Sequence, residues 1–140
     1  MVIPVPLYHG TSSTFLSSIL RSGLGAANPL TGLRALEFLS TIVDVGGDGL
    51  WAGSTIAGEE MDIRRMVEQK VTGGGFNYRH GSTYLTPSRF TAVSYARSNR
   101  YGSEILSNAL VMFERLRAID PIAAERIATS YPGAVAIAVR

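Results

Sequence analysis

The longest uninterrupted pattern in this chain is "GSEILSNALVMFERLRAI", residues 102–119. Leu106, Ala109, Leu110 and Phe113 recur there at intervals of three and four, which places them on one face of a helix, and Ser103 is positioned to cap its first turn. An apolar stripe of this kind needs other elements to cover it. With 140 residues, the chain is long enough to do so within one domain. Hydrophobic residues make up 46% and charged residues 17%, a balance suited to a packed core rather than a disordered chain. Residues 1–140 are therefore read as one domain, with the alternative of a fragment of a longer chain left open.

The remaining elements are expected as follows. "VIPVPLYHG" reads as a first strand, irregular in its first half because Pro4 and Pro6 cannot donate ladder hydrogen bonds. A helix follows from Ser12 or Ser13, with Phe15, Leu16, Ile19 and Leu20 on one face and Gly23 at its C-terminal stop. "GLRALEFLSTIV" is a short-helix candidate and "GGDGLWAGS" a loop, in which Trp51 is assigned to the core edge. "EEMDIRRMVEQKV" places acids before bases, as the helix dipole favours, and its "TGGG" ending reads as a loop. "STYLT" is a short strand, and Pro87 and Ser88 open a helix running to about Asn99. Asp120-Pro121 restarts a helix in the order cap, then proline. "GAVAIAVR" alternates Val135, Ile137 and Val139 at strand spacing.

Several chemistries are disfavoured. The chain has no cysteine, which removes disulfides, thiolate zinc sites and cysteine nucleophiles together. His9 and His80 are its only imidazoles, too few for an ordinary zinc site, so no metal is expected. No run approaches the roughly 20 apolar residues of a membrane span, and no secretory leader is evident. The expected location is the cytoplasm, or outside the cell as an effector exported without a classical signal. There is no GxSxG serine-hydrolase elbow. The formal charge is only +2, but of thirteen basic residues only Lys70 is lysine. Arginine forks grip phosphates, and Arg79, Arg89, Arg97 and Arg100 flank the second of the two segments considered next.

Those segments are "LYHGTSSTFLSSILRSGL" near the start and "GSTYLTPSRFTAVSYA" about seventy residues later. His9 and Gly10 end the first expected strand, Tyr84 sits in a later one, and Tyr95 lies on the following helix. In order and spacing, "LYHGTS" with "TYLTPSRFTAVSYA" resembles the ADP-ribosyltransferase superfamily, in its His-Tyr-acid branch with diphtheria toxin and the poly(ADP-ribose) polymerases. The resemblance covers about a quarter of the chain. It implies an α+β fold of split, mostly antiparallel sheets with helices around a central NAD cleft.

The resemblance also implies roles at matched positions. His9 would bond the adenosine ribose of NAD, the Gly10 backbone would hold the nicotinamide carboxamide, and Tyr84 and Tyr95 would sandwich the nicotinamide ring. Thr91 or Ser94 would complete the carboxamide contacts, although Ala92 stands near the place where relatives often carry serine. Thr11 and Ser12 would face the ligand or cap the first helix. On the bland alternative, His9 is a structural residue and the two tyrosines are core aromatics.

Nicotinamide–ribose cleavage passes through an oxocarbenium-like state and calls for a carboxylate near the ribose. The expected C-terminal strand has none. Three sources stay open: an acid beyond Arg140, a lost acid, or Glu104, with Glu59 and Glu60 as substitutes. With Glu104 in that role, the implied catalytic set is His9, Tyr84 and Glu104. The expected activity is NAD-dependent transfer of ADP-ribose to a protein or nucleic-acid acceptor, in the manner of a bacterial toxin or effector. Two alternatives stand beside it: a non-catalytic module that binds NAD, ADP-ribose or a protein, and an enzyme resembling the RNA 2′-phosphotransferases, with Arg89, Arg97 and Arg100 around a phosphate.

Overall fold

The structure, a computed structural model, describes residues 4–26, 28–69 and 83–138. It is helical. A 3₁₀ turn at Ser13–Phe15 leads into α1 (Leu16–Ser22), followed by α2 (Pro29–Gly32) and α3 (Ala35–Gly46). A second 3₁₀ turn, Gly47–Trp51, precedes α4 (Glu59–Val67). The chain continues through α5 (Arg89–Ser98), α6 (Glu104–Ile119), α7 (Pro121–Ser130) and α8 (Pro132–Ala138).

The expected α+β fold with split antiparallel sheets is therefore wrong. Among the described residues there is no strand, only an isolated antiparallel bridge between Tyr8 and Thr86. Two causes are visible. In the N-terminal segment, Pro4 and Pro6 supply no donors, and pairing is confined to Tyr8. At the C-terminus, Pro132 suits a first helical turn and Ala134, Ala136 and Ala138 are strong helix formers. Tyr131, Ala134 and Ile137 are buried at a three-residue interval, so helical period prevailed over the alternation of Val135 with Ile137. Val139, the third member of that expected strand, lies outside the described residues.

Several helix boundaries follow from local chemistry. The Ser88 hydroxyl accepts from the Thr91 amide at 3.2 Å, and that of Ser103 from the Leu106 amide at 3.4 Å. Asp120 joins two helices: its amide donates to the Leu116 carbonyl at 2.7 Å, and its carboxylate accepts from the Ala123 amide at 2.9 Å. Gly23 closes α1 with a φ of +87°. The expected apolar face of α1 is only half used. Phe15 is buried, but Leu16 and Leu20 stay 50% and 77% exposed.

The core forms where α3 lies along α6. Phe38 from α3 is fully enclosed, with its ring centroid 5.6 Å from that of Phe113 on α6 and 5.4 Å from that of Tyr131. The expected stripe of α6 is buried against it, together with Ile105, Met112 and Leu116. Tyr131 binds back to α3 through its hydroxyl, 2.9 Å from Thr41 Oγ1. The Arg34 guanidinium, 4.7 Å from the Tyr131 ring centre, also holds Glu37. That contact keeps the exposed Glu37 carboxyl below its ordinary range.

A shielded ion pair ties α4 to α6. Arg115 reaches Glu59 with two nitrogens, at 2.8 and 2.9 Å, and the Ser54 hydroxyl donates to the same carboxylate at 2.5 Å. The Arg115 hydrogen bonds hold the Glu59 carboxyl below its ordinary value; burial opposes them, and Ser54 and the Arg115 charge add. No helix among the described residues is long and apolar enough to cross a membrane. No group of three metal-ligating side chains occurs among them.

Two outcomes follow. Phe38→Ala removes the ring between two aromatic partners and is expected to cost about 3–5 kcal/mol, read from the urea midpoint. The Glu59 contribution is complete above the ordinary glutamate value of about 4.3 and is lost as pH falls through the lower folded-state value. Stability of the wild-type chain should therefore drop more steeply between pH 5 and 3, on the order of these values, than that of Glu59→Gln. Parallel pH profiles would remove the pair from the account.

Candidate functional site

The two segments marked in the sequence do meet. Tyr8 and Thr86 exchange both backbone hydrogen bonds, at 2.8 and 2.9 Å. One residue on, His9 Nδ1 lies 2.9 Å from the Tyr84 carbonyl oxygen. A carbonyl only accepts, so Nδ1 donates, and of the two neutral tautomers this bond selects the one with Nε2 as acceptor.

Gly10 explains how closely this segment docks. A Cβ there would fall 2.2 Å from the Ala92 carbonyl oxygen and 3.1 Å from the Ala96 amide nitrogen, both backbone atoms of α5. Gly102 does the same from the other side, with a φ of +70° and an imagined Cβ 2.7 Å from the Ser12 nitrogen. Residues 8–12 are thus held against the 84–86 segment, α5 and the turn into α6.

Beside them lies a cavity of about 140 Å³, whose wall includes His9, Thr11, Phe15, Ile19, Thr83 and Ser103. It is mixed in character, with an imidazole and hydroxyls facing Phe15 and Ile19. Its size compares with the roughly 150 Å³ engineered cavity that accepts benzene. That volume is the size of one ring.

Of the expected ligand-binding residues, His9 and Thr11 line this cavity, and Gly10 packs behind them on α5. Tyr84 contributes its carbonyl to His9, but its side chain is 64% exposed. Tyr95 is 40% exposed, and its hydroxyl accepts from Asn99 Nδ2 at 3.1 Å. Neither tyrosine lines the cavity, so the expected sandwich is not assembled around it. Asn99 is buried and accepts in turn from the Ser107 hydroxyl at 2.7 Å, which fastens Tyr95 to α6. Burial pushes the Tyr95 phenol up, the charge of Glu104 adds to the shift and the Asn99 bond opposes it.

Glu104 itself is exposed in the first turn of α6. Thr91 and Ser94 are exposed on α5, while Ala92 is buried beneath Gly10. Ser12 is buried as the cap of the first turn, its hydroxyl accepting from the Thr14 amide at 3.3 Å. Glu59 and Glu60 are paired with Arg115 and Arg64 and line a separate groove beside α4. Trp51 packs against the core with Arg64 above its ring. His80, Arg79, Lys70 and the glycine triplet lie outside the described residues. Sequence reading missed the contributions of Phe15, Ile19, Gly102 and Ser103 to the cavity; the Gly-Ser pair before α6 was legible only as a cap.

No family model matches the chain, and neither the curated proteins nor the solved structures provide a match. Together with the helical architecture, this overturns the resemblance to the ADP-ribosyltransferases. What those motifs mark in this chain is a docking point between distant segments.

Gly10→Ala tests that docking point directly. The new methyl meets the backbone of α5 and is expected to cost about 1–3 kcal/mol. Hydrogen exchange should lose protection at the Tyr8 and Thr86 amides while the α6 amides keep theirs. Unchanged protection would show that the approach is looser than described.

Proposed function

We propose that the chain binds a small ring-bearing amide, the nicotinamide end of NAD, in the cavity beside His9. The supporting observation is the combination of a ring-sized volume with an imidazole whose tautomer is fixed by the Tyr84 carbonyl. A fixed tautomer gives Nε2 a defined acceptor role toward an amide N–H, and Phe15 and Ile19 supply apolar contact for the ring. Carboxylates are missing from the described wall, which favours binding over chemistry. A second reading, cleavage of the nicotinamide–ribose bond, requires a carboxylate from outside that wall.

Nicotinamide and NAD are each added to the purified chain and its thermal unfolding followed. At 100 times the dissociation constant, either ligand should stabilise it by about 2.7 kcal/mol. Ile19→Phe, which places a ring in the cavity, should abolish the effect. Absence of stabilisation at millimolar ligand overturns the binding reading. Free nicotinamide accumulating from NAD supports the second reading.

A further inference from the structure

The charges of this chain are unevenly distributed. Its first acidic residue is Glu37, and none occurs from Thr83 to Ser103. Elsewhere Arg34, Arg64, Arg65, Arg115 and Arg117 are each paired with a carboxylate. Among the described residues Arg21, Arg89, Arg97, Arg100 and Arg126 have no such partner; three of these five fall between positions 89 and 100, and Arg100 lies 5.4 Å from the centre of the Tyr101 ring.

The outer side of α5 carries an equally unpaired ring. Phe90 is 81% exposed, the most open large hydrophobic side chain among the described residues. Arg97 follows it by seven residues, two helical turns, and so stands on the same stripe about 10 Å along the axis. Ser94 lies between them on that side, and Ser98 borders it; both are exposed. The inner side, with Ala92 and Ala96, faces Gly10. Six residues before Phe90, the exposed side chain of Tyr84 offers a second aromatic surface.

We propose that the outer face of α5 and its two ends bind single-stranded nucleic acid, with Phe90 stacking on a base and Arg97 on the same stripe, Arg89 at the first position of the helix and Arg100 in the turn beyond it neutralising phosphates. Every base presents a π-face to an exposed aromatic ring, and guanidinium forks suit phosphate oxygens. A duplex keeps its bases stacked internally and offers Phe90 no such face. An anionic membrane is disfavoured because an interfacial helix needs a broad apolar face. Besides Phe90 and Tyr95, the exposed positions of α5 are Arg89, Thr91, Ser94, Arg97 and Ser98, all polar. Phe90 and Arg97 do not line the cavity beside His9, so this surface stands or falls independently of the small-ligand reading.

The test measures the binding of a fluorescently labelled twelve-nucleotide oligo(dT) and oligo(U) by anisotropy at 50 and 200 mM salt. With three phosphates neutralised, affinity should fall about 20-fold between these salt concentrations. Phe90→Ser should weaken binding roughly 5- to 150-fold. Arg97→Gln should lower the slope of log affinity against log salt by about 0.7. Both positions are exposed, and unchanged thermal unfolding of the variants confirms intact folding. Equal binding by wild type and the Phe90→Ser, Arg97→Gln double variant overturns the proposal. So does a lack of binding at 50 mM salt, preference for duplex of the same length, or association only with vesicles containing anionic lipid.

Discussion

Burial of Phe38 between Phe113 and Tyr131 is the contact on which the other elements rely. It joins α3, α6 and the junction of α7 with α8 at one place. The lengths of these elements make the dependence understandable. Most are near or below the length at which isolated helices become marginal in water, so packing must supply what propensity does not. α6, the longest, offers the continuous surface on which the shorter helices assemble. Glu59 and Arg115 then fix α4 to the same helix through directed hydrogen bonds rather than area.

The cavity is built differently. Its wall comes from α1 and the turn before it, from the segment after α1, from Thr83 and from the turn into α6. Phe15 reaches the buried core and Ile19 and Leu30 pack against it, but these pieces lie outside α3 and α6. They are brought together by close backbone approach, permitted by the missing side chains of Gly10 and Gly102, and by a capped Ser12. The position of His9 is therefore set by its ring's bond to the Tyr84 carbonyl and by the Tyr8–Thr86 main-chain pair next to it.

The helices were largely legible because their signals are local. Ser88, Ser103 and Asp120 announce N-termini, and the spacing of Leu106, Leu110 and Phe113 identifies a buried face. The absence of strands among the described residues was not legible. A β-branched residue at every second position, as in Val135 and Ile137, also satisfies a helix when alanines fill the intervals and proline precedes. The meeting of "YHG" with "TYLT" was anticipated from motif order, yet it takes the form of one bridge rather than two strands. Which atoms would surround a ligand was beyond the sequence, because Phe15 and Ile19 reach the cavity only through the path of the chain after α1.

The pairing of Tyr8 with Thr86 has a kinetic corollary. It closes a chain segment of 78 residues in sequence, from 86 − 8, with only two main-chain bonds. Loop-closure entropy grows with the logarithm of length, and two such bonds offset little of it until α3 and α6 have already shortened the span. Assembly of the helical body must then precede the clasp, and the clasp is the natural point at which the protein breathes. A ligand entering beside His9 would meet that opening motion before it met the core.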